Sequence, residues 1–110
     1  MEHYKVALSQ KAKAEIRAIV QYIAINLREP TTAKHTQRRF KEMVASLKSM
    51  PNRFALVSDS YLAAAGFRMA SVGNYLIFYT VDQAACQVNI SRVLYGRQNW
   101  TALLTQDLPQ

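Results

Sequence analysis

The sequence predicts an α+β domain of order β-α-α-β-β-β: an antiparallel sheet with a helical hairpin packed on one face and a short C-terminal helix. Three observations carry that expectation. Between Ser9 and Pro51 apolar residues recur at three- and four-residue steps, the period of one helix face. From Gly66 onward, runs rich in Tyr, Phe, Ile and Val alternate with turn residues, as strands do. Between the two halves, residues 51–65 show no period.

Each element has its own signal. Residues 4–8 alternate enough for a strand. Ser9 then suits an N-cap, because its hydroxyl can accept from the free amides of a first helical turn. Ala12, Ile16, Ile19, Val20, Ile23 and Leu27 make one apolar stripe on a helix of about five turns. Arg28 suits the negative C-terminal end of that helix, and Pro30 follows. Thr31 or Thr32 is expected to cap a second helix with the stripe Ala33, Thr36/Gln37, Phe40, Met43/Val44, Leu47 and Met50, ended by Pro51. The short joint makes the pair an antiparallel hairpin. Residues 51–65 read as a loop with one helical turn near 61–65. Gly73-Asn74 is a two-residue hairpin signal. Residues 75–81 are nearly all apolar or aromatic, which predicts a central strand covered on both faces. Residues 88–94 form the next strand, Gly96 breaks it, and 99–104 close in a helical turn, leaving 106–110 as a flexible tail. The sheet face away from the hairpin is expected to stay open unless a partner covers it.

Composition bounds the function. With 110 residues, half of them apolar, the chain fits a single domain, 1–110, with one core. It has no apolar run long enough to span a bilayer, so no membrane partner is expected. Its first residues lack the charged and apolar regions of a signal peptide, and a single cysteine, Cys86, suits a reducing cytoplasm. Cys86 with His3 and His35 makes no ligand cluster, so neither a metal nor a cofactor is expected. The net charge of +7 is uneven: residues 1–53 carry eleven Lys/Arg against four acids, residues 54–110 three against three. Such an excess suits an acidic partner, nucleic acid or protein, or else a solvated helix face. Within it, Lys34, Arg38, Arg39 and Lys41 cover more than one helix face, with Arg38 and Lys41 on the same side and Lys34 one turn earlier.

Several segments, in order, resemble the RelE/ParE superfamily of bacterial type II toxins: the opening strand ending in Ser9, Ala33 with Phe40, Met50-Pro51, Gly66-Phe67-Arg68, Val72-Gly73-Asn74-Tyr75 with the strand to Asp82, and Ile90 through Tyr95-Gly96-Arg97-Gln98-Asn99-Trp100. The likeness covers about residues 3–104, and the tyrosine-rich strand and the Gly-Arg-x-x-Trp close are more similar to the ParE branch. That resemblance implies a bacterial, plasmid-stabilising toxin that binds DNA gyrase and is neutralised by a cognate antitoxin, with operator DNA reached only through the antitoxin. RelE-like relatives instead cut mRNA on the ribosome. Where RelE-like sequences have an arginine after the central-strand tyrosine, Tyr75 is followed by Leu76; Gln98 stands where a second basic residue is expected after Arg97, and Met69 and apolar neighbours replace the expected lysines. Residues 54–110 contain no Lys, His or Glu, a poor inventory for acid–base cleavage of a phosphodiester. No catalytic residue is therefore expected. The alternatives are a ribosome-dependent mRNA endonuclease and an inactive member that only binds its antitoxin.

The residues expected to bind target or antitoxin are Arg68, Arg92, Arg97, Trp100 and Tyr75. Arg68 could contact an acidic antitoxin from the open sheet face, or stand in solvent at an edge. Arg92 shares a strand face with Val88 and Ile90 by the two-residue period, so it is either a paired structural arginine or a recognition group. Arg97, just past Gly96, can project beside the sheet rim, where a guanidinium fork suits a carboxylate or phosphate. Trp100 is a core anchor or a reader of the partner. Tyr75 shares a face with Ile77 and Tyr79, for packing or for stacking on a partner.

Overall fold

The computed structural model describes residues 3–108. Four strands and four helices follow in the order β1 (Lys5–Leu8), α1 (Gln10–Gln21), α2 (Pro30–Ser46), α3 (Ser60–Ala64), β2 (Arg68–Val72), β3 (Tyr75–Asp82), β4 (Gln87–Tyr95) and α4 (Trp100–Asp107). The sheet order is β1-β4-β3-β2. Strands β2, β3 and β4 are antiparallel, as expected, but β1 joins β4 in parallel, so the sheet is mixed. The chain must cross the whole hairpin before it returns to β4, and that long crossover permits a parallel pair.

Ser9 caps α1 as expected: its Oγ accepts the Ala12 N–H at 3.0 Å and donates to the Ser91 carbonyl at 2.7 Å, which fixes the helix start to β4. The stripe does not continue as one α-helix to Leu27. A π-helical turn, Tyr22–Asn26, takes over, with Leu27 N–H bonded to Tyr22 O at 3.1 Å. It keeps Ile23 buried and turns Ile25 outward, 71% exposed. Arg28 takes a left-handed conformation (φ 55°) and ends the helix.

Helix α2 starts one residue before the threonines expected to cap it. Pro30 holds the first helical position, where its missing N–H costs nothing, and Glu29 is the cap residue without a side-chain bond. Ala33, Phe40 and Leu47 are its buried line. Met50 is not: a left-handed backbone (φ 51°) turns it 67% into solvent. Arg53 closes this end of α2, donating from Nη1 to the Ser46 and Ser49 carbonyls at 3.1 Å each and from Nη2 to Ser46 Oγ at 2.6 Å.

Gly73 at φ 57° makes the expected two-residue turn between β2 and β3. Ile77, Phe78 and Tyr79 are all fully buried, so β3 is covered on both faces. On the hairpin side Phe40, Leu47, Ala12, Ile77, Tyr79 and Ile90 form one cluster. The other face is not open. Val57, Leu62, Phe67, Phe78, Leu94 and Leu104 form a second cluster under α3 and α4, with Trp100 against it. The helices covering it are five and eight residues long, too short for a periodic stripe to announce them. The end of α4 also takes in residues 106 and 107 of the expected flexible tail; residues 109 and 110 lie outside the described ones.

A β-bulge breaks the register of β3 and β4: Tyr79 faces Ile90 and Phe78 faces Arg92, so Ser91 has no partner across the ladder. One extra residue moves every later side chain to the opposite face. Arg92 therefore does not share a face with Val88 and Ile90, as the simple period implied.

Candidate interaction site

The bulge decides the role of Arg92. Beyond β1 the edge of β4 meets α1, where Glu15 Oε1 accepts the Val93 N–H at 3.0 Å. Arg92 closes over that carboxylate, donating from Nε and Nη2 to Glu15 Oε2 at 2.9 and 2.7 Å, and reaches Asp107 of α4 through Nη1 at 3.1 Å. Lys11 completes the chain with a 2.6 Å bond to Asp107. The Arg92 side chain is only 12% exposed. The hydrogen bonds it donates to Glu15 raise its pKa against the opposing effect of burial, and Asp107 adds to the rise. For Asp107, burial pulls upward, but Lys11 and Arg92 outweigh it and hold the carboxyl below its ordinary value. Of the two readings of Arg92, the geometry is that of the paired structural arginine, tying α1 to α4.

Arg68 stands at the start of β2 opposite Tyr79, on the hairpin side. Its Nη1 donates to the Phe54 carbonyl at 2.6 Å and the Asn52 carbonyl at 3.3 Å, while the Tyr79 hydroxyl donates to the Pro51 carbonyl at 2.7 Å. Together they hold residues 51–54 against the sheet. Burial raises the Tyr79 phenol's pKa, and Arg68 and Arg53 pull it back only in part.

Trp100 packs on Phe78 with ring centroids 5.2 Å apart, anchoring α4 in the second core. Tyr75 is half-buried between Phe40 (5.8 Å) and Tyr95 (5.9 Å), both edge-on. Burial, then the neighbouring phenols of Tyr95 and Tyr22, raise its pKa. Arg97 is exposed and makes no hydrogen bond or ion pair with a described residue. Gly96 before it is needed by close approach: its N–H bonds to the Asn74 carbonyl at 2.8 Å, and a Cβ there would stand 3.2 Å from the same oxygen. The five expected residues thus do not converge. Arg68 and Arg92 lie on opposite sides of the sheet, whereas Tyr75 and Arg97 share the end where β4 leaves it.

A different surface does converge. Between α1, α2 and the edge strand β1 lies an open groove of about 510 Å³. Val6, Leu8, Ile16, Phe40 and Val44 line it with apolar atoms, and Lys13, Arg17, Lys41 and Lys48 are set among them. All four cations are exposed, and none forms an ion pair among the described residues. An apolar floor under basic side chains fits an acidic amphipathic segment. Of these residues the charge pattern had singled out only Lys41. Lys13 and Arg17 are four apart, a spacing visible in the sequence, but which side of α1 faces α2 depends on how the helices dock. Arg39, from the same basic run, turns away toward the β2–β3 turn, its Nη1 against Gly73.

Among the described residues no group of His, Cys, Asp and Glu side chains could hold a metal ion, and no helix is long and apolar enough to cross a membrane.

A mixed four-stranded sheet with a helical hairpin on one face and a C-terminal helix on the other defines the class: a small toxin fold of the RelE/ParE type. Residues 6–100 match the family model described as ParE toxin of type II toxin-antitoxin system, parDE, and the chain belongs to that family. No curated protein matches the sequence. Among solved structures it is similar to a chain of the chromosomal ParDE toxin–antitoxin system of P. aeruginosa, with 19% identity and a TM-score of 0.68 over 84% of this chain and 96% of that one. It is also similar to a chain of the RelBE2 toxin–antitoxin complex of Mycobacterium tuberculosis (20% identity, TM-score 0.61, 86% and 93% covered). A third likeness is to a chain of the archaeal RelE–RelB complex of Pyrococcus horikoshii OT3 (16%, 0.60, 87% and 98%). At these identities the three structures speak for the fold.

Proposed function

We propose that this family member acts by gripping DNA gyrase rather than by cutting RNA, and that an acidic, amphipathic segment of a cognate antitoxin neutralises it. One observation carries the first half. Two of the three arginines in the strand half already serve the protein: Arg68 is spent on backbone carbonyls and Arg92 on two carboxylates. The third, Arg97, has no Lys, His or Glu in that half of the chain to share proton transfer with. Cleavage without a metal needs a base, an acid and a cation positioned together. Binding needs only a surface, and Arg97 beside Tyr75 and Tyr95 offers one to the target.

For neutralisation, the groove between α1, α2 and β1 supersedes the sheet face as the antitoxin's seat, because α3 and α4 already cover that face. Val44→Asp, which places an anion on the groove floor, is expected to leave toxicity intact and to abolish rescue by the antitoxin; full rescue would sink the groove assignment. The target is tested by expression without antitoxin. Gyrase poisoning predicts an SOS response and filamentous cells. Arrested translation with cut messages would instead establish the ribosome-dependent endonuclease. No toxicity from folded protein would mark a member that only binds its antitoxin.

A further inference from the structure

The basic side chains continue past the groove. Lys34, Arg38 and Lys41 sit on α2 at steps of four and three, hence on one side of the helix, and only Lys41 lines the groove. On α1, Lys13 and Arg17 are four apart and face the same groove from across it. All five are exposed and without an ion pair among the described residues.

None of the hairpin's described acids lines the groove. Glu15 is held by Arg92 at the edge of β4, Glu29 lines the pocket near Tyr75 and the β2–β3 turn, and Glu42, one turn beyond Arg38, borders the basic side and lines a pocket with Arg39, Ser71 and Val72. Cations serving only solubility are usually interspersed with anions. Here the only charged side chains lining the groove are cations, and the positive charge continues along α2 to Arg38 and Lys34, further than an occupant of the apolar groove requires.

We infer that this side of the hairpin binds the sugar–phosphate backbone of duplex DNA, through Lys34, Arg38 and Lys41 of α2 with Lys13 and Arg17 of α1. From Lys34 to Lys41 is about 10 Å of helix, roughly the rise of three base pairs along a duplex axis. The exposed tyrosines, Tyr22, Tyr61 and Tyr95, do not line the groove, and no exposed Phe, Tyr or Trp stands between Lys34 and Lys41. Without a stacking platform, single-stranded nucleic acid gains little here, and a regular phosphate array is the better match. The toxin therefore contacts DNA itself, in contrast to the expectation that operator DNA is reached only through the antitoxin. An antitoxin seated in the groove covers Lys13, Arg17 and Lys41 and competes with DNA.

The test needs neither gyrase nor antitoxin, so it stands or falls separately from the proposed function. Fluorescence anisotropy of the free toxin with a labelled random-sequence 20-base-pair duplex is measured over a salt series. Five phosphate contacts predict a slope of log K against log salt of about −4 to −5. Lys34→Gln with Arg38→Gln, both outside the groove, should reduce its magnitude by about 2, Lys34→Gln alone by about 1, and Arg39→Gln not at all. A wild-type slope weaker than about −1, a double variant indistinguishable from wild type, or tighter binding of a single-stranded RNA of equal length would overturn the inference.

Discussion

The two faces of the sheet are covered in different ways. On one, two long helices lie over Ile77, Tyr79, Ile90 and Val93, and beside them a groove stays open with unpaired cations around it. On the other, two short helices and the segment that carries Val57 and Phe67 close over Phe78 and Leu94. The charges follow the same division. Among the described residues the ion pairs all involve Arg92 or Lys11, gathered at the edge where α1 and α4 meet β4. The α3–α4 face is therefore built for cohesion, and the hairpin face leaves its groove and its charge for another molecule.

The sharpest way to break that contrast is to cut each core in turn. Phe78→Ala and Phe40→Ala should each cost about 3–5 kcal/mol in denaturant unfolding, because each ring is buried in its own cluster. A cost below about 1 kcal/mol for Phe78→Ala would mean that the second face is not a core. Next comes the link between the faces. Arg92→Ala leaves Glu15 and Asp107 without their cation and should cost about 1–3 kcal/mol, less than a fully buried pair because the site is partly exposed.

The same link has a pH signature. Asp107 is depressed in the fold, so its stabilising contribution is present above the ordinary carboxyl value of 3.8 and is lost as pH falls through the lower folded value. Asp107→Asn should flatten that acid limb, and unchanged acid sensitivity would show that the pair contributes nothing. Ser9→Ala, which removes both the α1 cap and the bond to Ser91, should cost about 1 kcal/mol in thermal unfolding. Smallest in stability is Arg97→Ala, expected within about 0.5 kcal/mol of wild type but with reduced toxicity; unchanged toxicity would remove Arg97 from the target surface.

The local signals were reliable where a long period or a chemical cap was present. The Ser9 cap, the apolar faces of both helices, the Gly73-Asn74 turn and the doubly covered β3 were legible from residue order. The short helices were less so: one turn near 61–65 could be read, but not its packing onto Leu104 and Phe78, because five residues carry no period. Of the candidate site, the charge imbalance was visible, but the convergence of Lys13 and Arg17 on Lys41 was not. Arg92 was misplaced by a single unpaired residue, Ser91, because alternation assumes an unbroken ladder.

Residue order alone thus settled which segments are helix or strand and that the positive charge lies in the helical half, since these follow from neighbours a few positions apart. Which sides of α1 and α2 face each other, where the bulge falls, and whether an arginine is spent inside the protein or left for a partner are set by contacts between residues far apart in the chain, such as Glu15 with Val93, 78 positions away. Such pairs leave no local pattern. Packing selects them only once the whole sheet and its helices have closed.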